Sequence, residues 1–245
     1  MTIDAGSLDI PLGPHEDEPH EDGINARLNW LRAGVLGAND GIVSTAGIVM
    51  GAAGATSGRT TILIAGVAGL VAGALSMAAG EYVSVSTQRD SEEALLEKER
   101  HELEDDPQDE LAELAGIYVG KGLSEDLALE VARQLTDHDA LGAHAEAELG
   151  IDPDDLTSPW NAALASMLSF TLGALLPLLT ITLFGPTMRI WVTVVSVTIA
   201  LALTGWGSAK FGYGPSRRAV VRNVVGGLFA MAITYAIGSA LGNHV

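Results

Sequence analysis

The sequence predicts an all-α membrane protein: five transmembrane helices with a three-helix cytosolic insert between helices 2 and 3. Three observations predict it. Five segments reach the roughly 20 apolar residues a helix needs to cross a hydrocarbon core. The charge is segregated: of 31 acidic residues, seven lie between Asp4 and Asp22 and twenty-two between Asp90 and Asp155, leaving only Asp40 and Glu81. No Asp or Glu follows Asp155. An apolar content of 48% coexists with a net charge of −18 because the chain joins two chemically different materials.

Residues 1–27 read as a disordered acidic tail, too polar and proline-broken to bury a core. Its run His15-Glu16-Asp17-Glu18-Pro19-His20-Glu21-Asp22 has the composition of a weak metal binder, or simply of a solvated tail. No basic stretch followed by an apolar one opens the chain, so no cleavable signal peptide is expected. The absence of cysteine excludes disulfides and thiolate metal sites.

Residues 28–86 hold the first two spans, about Ala33–Ala55 and Thr61–Tyr82. Both are rich in Gly and Ala, with the spacings Gly37/Gly41, Gly47/Gly51 and Gly69/Gly73 that let helix backbones approach in lipid. Nothing stops the second helix at Tyr82, because no Pro or Gly occurs from Val83 to Glu104. At 1.5 Å per residue it becomes a rod of about 65 Å that projects well beyond the membrane. Residues 87–156 then form the acidic insert, expected to bind metal. Asp106-Pro107 supplies an N-cap and a Pro at the first helical position for a helix ending near Gly120 and Gly122. Ser124 starts a third helix, which runs to Gly150. Residues 157–245 carry the last three spans, about Trp160–Phe184, Ile190–Ala209 and Ala219–Leu241, with no Asp or Glu. Basic residues set the orientation: Arg27, Arg32, Lys210, Arg217, Arg218 and Arg222 fall on one side, Arg59 and Arg189 on the other. The N-terminus and insert are thereby expected in the cytosol, and the C-terminus outside.

Ionisable groups inside apolar spans are functional candidates by default, because they are costly to insert. Asp40 lies about 10 Å into the first helix. Met77 and Glu81 share a face of the second, four residues apart. Carboxylate with thioether suits a borderline ion such as Fe²⁺ better than Mg²⁺ or Ca²⁺, which take oxygen ligands only. In the insert, Glu99/Glu102 and Glu110/Glu113 each place two carboxylates on one helix face, and the break between them allows a hairpin to bring the pairs together. Asp137, His144 and Glu148 would share a face of a continuous third helix. Spacing alone does not separate this from a solvated acidic bundle, since twenty-two acids generate such pairs by chance.

The run Leu36-Gly37-Ala38-Asn39-Asp40-Gly41-Ile42-Val43-Ser44-Thr45, with Ala74-Leu75-Ser76-Met77-Ala78-Ala79-Gly80-Glu81-Tyr82-Val83-Ser84, resembles the vacuolar iron transporter family. The form with Glu81 is similar to bacterial members. The resemblance covers about residues 28–241 and implies an Fe²⁺/Mn²⁺ exporter for metal homeostasis that exchanges metal for protons. It further implies a homodimer with the pathway at its interface, in a bacterial plasma membrane. Residues matching Asp40 and Met77 line that pathway in the family, and those matching Glu99, Glu102, Glu110, Glu113 and Glu148 bind metal. There are departures. Ala33 and Gly69 stand where eukaryotic members carry acids, Glu81 stands for a common Gly, and His144-Ala145 for Met and Glu.

The expected partners are a second copy, the bilayer and divalent ions, with no prosthetic group and no nucleic acid. A membrane-anchored metal sensor or buffer without transport is the competing expectation. An enzyme is not expected: no His lies in the five spans, and no Ser is paired with a base.

Overall fold

A computed structural model describes residues 21–212 and 214–242, with side chains from residue 34 onward. Seven α-helices follow in order: α1 (Glu21–Ala55), α2 (Arg59–Asp105), α3 (Pro107–Gly120), α4 (Glu125–His144), α5 (Pro159–Leu183), α6 (Arg189–Phe211) and α7 (Ser216–Gly242), with a π-helical turn at Ala145–Leu149. Among the described residues there is no strand. Five helices (α1 over Gly34–Ala55, α2, α5, α6 and α7) are long and apolar enough to cross a membrane. Helix α1 begins at Glu21, inside the segment expected as tail. Residues 1–20, and with them most of the tail and its His/acid cluster, lie outside the described residues.

The chain divides into two compact units. The first comprises the described residues up to 69 and those from 172 onward. Within it α1 packs along α7, and α7 against α6. Glycine makes the α1–α7 contact possible. A Cβ on Gly54 would stand 2.5 Å from the Tyr235 carbonyl, and one on Gly238 would overlap the Gly51 carbonyl. Gly51 and Gly54 therefore mark a backbone-to-backbone contact with α7, as small residues do in lipid, while Gly47 meets the Thr234 side chain. Buried Arg189, at the start of α6, donates to the Ser57 carbonyl (3.2 Å) and the Thr56 carbonyl (3.4 Å), just past the end of α1. A cation there meets the carbonyl-rich, negative end of that helix. Large apolar side chains such as Trp191, Leu203 and Phe229 stand outward. In water so much exposed apolar surface would drive association, whereas lipid is its ordinary solvent.

The second unit is residues 70–171. Leu114 and Ala115 of α3 pack on Ala132 of α4, flanked by Leu111, Tyr118 and Leu129, which holds α3 and α4 as a hairpin. Asp106 and Ser124 occupy the N-cap positions of α3 and α4, although neither side chain makes a capping hydrogen bond. Helix α2 continues unbroken past Tyr82 to Asp105. The Tyr82 ring lies against Trp160 at the start of α5, with centroids 4.8 Å apart.

Candidate metal site

Three turns of chain converge in the second unit. The first carries Glu99, two turns before the end of α2. It is 3% exposed, on the turn of unbroken α2 that faces Glu110 and His144. The second carries Glu110, fourth residue of α3 and 8% exposed. Its backbone N–H donates to the Asp106 carbonyl at 3.1 Å, so the cap that starts α3 also sets its place. The third carries His144, fully buried at the end of α4.

The third helix corrects an expectation. It is not continuous: Asp139 is extended (φ −156°, ψ 98°) inside α4. Its Oδ1 accepts the Gly142 N–H at 3.0 Å, as an N-cap does, so the chain restarts a helix there. Asp137 lies before the kink and stays exposed, off the face it was expected to share with His144 and Glu148. After the kink comes the π-helical turn bearing Glu148. It is closed by Gly150 at φ 65°, a left-handed conformation that suits glycine. Such π-turns recur where a side chain must be re-aimed for function.

Glu99, His144 and Glu148 each offer a ligand atom, all within 4.8 Å of one another. His144 Nδ1 stands 3.0 Å from Glu99 Oε1 and 3.6 Å from Glu110 Oε2. Neither contact has hydrogen-bond geometry: Glu99 Oε1 and both His144 ring nitrogens are buried without a hydrogen-bond partner. Leaving a buried polar atom unsatisfied costs about 1–3 kcal/mol. Lone pairs turned toward one another in this way are the arrangement a cation would satisfy.

Electrostatics agree with the geometry. Burial, then the charges of Glu148, Glu110, Glu102 and Glu113, push the Glu99 carboxyl up to about 7. Burial first and neighbouring glutamates second also raise Glu110 and Glu148, against a downward pull from Lys98. Burial lowers His144, which keeps its ring neutral and able to donate a lone pair near pH 7. Carboxylates with one imidazole suit a borderline divalent ion better than Mg²⁺ or Ca²⁺.

Of the expected insert residues, Glu99, Glu110, His144 and Glu148 come together. Glu102 is half-exposed and held by Lys98, and Glu113 is exposed, both felt by the buried group as charge. On α2, Met77 and Glu81 are each half-buried, one turn apart. In the first unit Asp40 is exposed on α1 and accepts a hydrogen bond from Ser44 Oγ at 2.9 Å. Ser44 borders an open apolar groove of about 480 Å³, between α1 and α7, with Gly47, Ile48, Thr234 and Ile237. Lys98 and Asp139 were missed from the sequence. The signals were there, in Lys98/Glu102 at i, i+4 and in an Asp three residues before a Gly inside a helix.

A family model described as the VIT family matches residues 31–239. A vacuolar iron transporter of Acanthamoeba castellanii is 43% identical over 227 residues, 91% of this chain and 82% of the relative. Vacuolar iron transporter homolog 4 of Arabidopsis thaliana is 34% identical over 243 residues, 99% of each chain. Vacuolar iron transporter homolog 1 of Oryza sativa subsp. japonica is 38% identical over 229 residues, 91% of this chain and 79% of the relative.

Proposed function

Because the chain belongs to the VIT family, whose model spans most of its length, we propose that it is a divalent-metal transporter, not an enzyme, moving Fe²⁺ and/or Mn²⁺ out of the cytosol by proton antiport. The observation that carries this reading is the convergence of buried Glu99, Glu110 and His144 with Glu148, three of whose atoms make no hydrogen bond. These residues, with Glu102 and Glu113 at the rim, gather the ion on the cytosolic side. Asp40, Met77 and Glu81 pass it through the membrane. The names of the relatives, vacuolar iron transporters, support iron as cargo.

The protein works as a homodimer. An exposed carboxylate on a membrane-spanning face is costly against lipid, so exposed Asp40 and the groove beside it favour cover by a second copy. The Tyr82–Trp160 pair suits the membrane–water boundary, where aromatic rings concentrate. It supports assigning the acidic insert to water and, with the basic residues, to the cytosol.

Uptake into proteoliposomes, with and without a pH gradient, tests the reading with Fe²⁺, Mn²⁺, Zn²⁺ and Co²⁺ as alternative cargoes. Fe²⁺ or Mn²⁺ flux that is accelerated by an opposing proton gradient is expected. Asp40→Asn and Met77→Ala should each strongly reduce it while leaving metal binding by the insert intact. Binding without flux in the unaltered protein would instead identify a membrane-anchored sensor or buffer.

A further inference from the structure

The turn between α6 and α7 gathers cations that the metal site does not use. Lys210 lies in the last turn of α6, and Arg217, Arg218 and Arg222 in the first two turns of α7. All four are exposed. Backbone contacts bring them together. A Cβ on Gly205 would stand 3.0 Å from the Ala219 carbonyl, so the two helices touch there. The turn that joins them is closed by the Gly214 N–H, which donates to the Ala209 carbonyl at 2.8 Å. Neither helix carries an acid to balance these charges, since no Asp or Glu follows Asp155. Apolar side chains continue the same faces. On α7, Arg218 and Arg222 share a face with Val225 and Phe229, at i, i+4, i+7 and i+11, and both apolar residues are exposed. On α6, Lys210 Nζ stands 5.1 Å from the centre of the exposed Trp206 ring, within cation–π range. None of Trp206, Val225 and Phe229 lines the groove beside Asp40. Basic residues that merely set orientation need only lie on the right side of the membrane. These instead cap outward apolar faces, where long basic side chains reach up to the headgroups.

We propose that Lys210, Arg217, Arg218 and Arg222 form a site for the headgroup of an anionic phospholipid, whose acyl chains lie along Trp206, Val225 and Phe229. A guanidinium presents a planar fork of N–H donors that fits a phosphate. Several cations together favour a headgroup of net negative charge over a zwitterionic one, in which choline cancels the phosphate. The apolar faces below select lipid over a soluble anion, because a free phosphate or an acidic peptide leaves Val225 and Phe229 without a role.

Quenching of tryptophan fluorescence by brominated lipids tests the site in the full chain. Its four tryptophans are Trp30, Trp160, Trp191 and Trp206. With Trp30→Phe, Trp160→Phe and Trp191→Phe, only Trp206 reports. In phosphatidylcholine vesicles, dibrominated phosphatidylglycerol should act at Trp206 as though bound about three- to tenfold more tightly than dibrominated phosphatidylcholine, since each basic residue near an anionic surface contributes up to about fivefold. Trp191, exposed at the opposite end of α6, reports in a second protein that lacks the other three tryptophans. Its preference should stay within about twofold, because the cluster lies several screening lengths away. Arg217→Gln, Arg218→Gln and Arg222→Gln together should remove the preference at Trp206, and Arg222→Gln alone should lower it. Arg59→Gln, at the other end of the spans, should leave it unchanged. Inorganic phosphate should compete no better than chloride at the same ionic strength. Equal preference at Trp206 and Trp191 would reduce the effect to overall charge and overturn the proposal. So would a preference that survives the three changes, or one that phosphate abolishes and chloride does not. No preference in the full chain also overturns it, and if deleting residues 1–20 then creates one, the cluster is occupied by the chain's own acidic segment.

Discussion

At the scale of single residues, the site is defined by what burial does to ordinary side chains. The insert holds many carboxylates, but Glu99 and Glu110 stand apart in being nearly inaccessible. Burial makes a lone carboxylate prefer its proton, which gives the site a pH dependence whose sign can be worked out. Glu99 is raised from 4.5 to about 7 in the folded protein. It therefore favours the fold below the unfolded value and loses that contribution as pH rises through about 7 in the absence of metal. His144 is lowered from 6.5, so its contribution has the opposite sign, present above that value and lost as pH falls. Metal needs both groups deprotonated. Mn²⁺ affinity should thus rise with pH across the range up to about 7, with proton release on binding. Calorimetry in two buffers of different ionisation enthalpy measures that release. Glu99→Gln should abolish the step near neutrality, and a Glu99→Gln variant that releases as many protons as the unaltered protein would show that another group titrates.

At the scale of elements, glycine does opposite things in the two units. In α7, Gly238 is a contact surface, since its missing Cβ is where the α1 backbone lies. In α3, Gly116 has no atom within 4 Å of where a Cβ would stand. Gly238→Val should therefore separate α1 from α7 and destabilise the protein by about 1–3 kcal/mol or more, the cost of overpacking a close contact. Gly116→Ala should stabilise α3 by about 1 kcal/mol through helix propensity alone. Thermal unfolding in detergent, followed by circular dichroism, reads both. Equal and small shifts would mean that the α1–α7 contact is looser than its geometry. The break at Asp139 belongs to the same scale, because the restart of α4 brings a histidine and a glutamate to the site after leaving Asp137 outside it.

At the scale of the whole molecule, charge and hydropathy organise the chain. Three of the five helices long and apolar enough to cross a membrane follow the insert, so opposite sides are expected for the insert and the C-terminus. Reporter fusions at Asp126 and after Val245 should report the cytosol and the exterior respectively. The same side for both would remove one of the three crossings made by α5, α6 and α7. The acidic excess of the insert has no counterpart in α5, α6 and α7, which contain no Asp or Glu. The same segregation that made the spans legible also concentrates the carboxylates between Asp90 and Asp155, the segment expected to face water.

The sequence by itself determined the helices and their number, because a span must carry its apolar residues in one continuous run and a helix break must be written locally. The turn at Asp106-Pro107 and the long uninterrupted α2 were both legible for that reason. So were Glu99 and Glu110 as members of candidate pairs. Only the tertiary structure decided which carboxylates of those pairs are buried together, and that Asp137 is excluded. The physical reason is that every acid in the insert is chemically alike until desolvation and neighbouring charge distinguish it. Those depend on contacts among α2, α3 and the turn after α4, residues far apart in the chain. Local spacing records which side chains share a helix face, whereas convergence of three faces on His144 is a property of the packed unit alone.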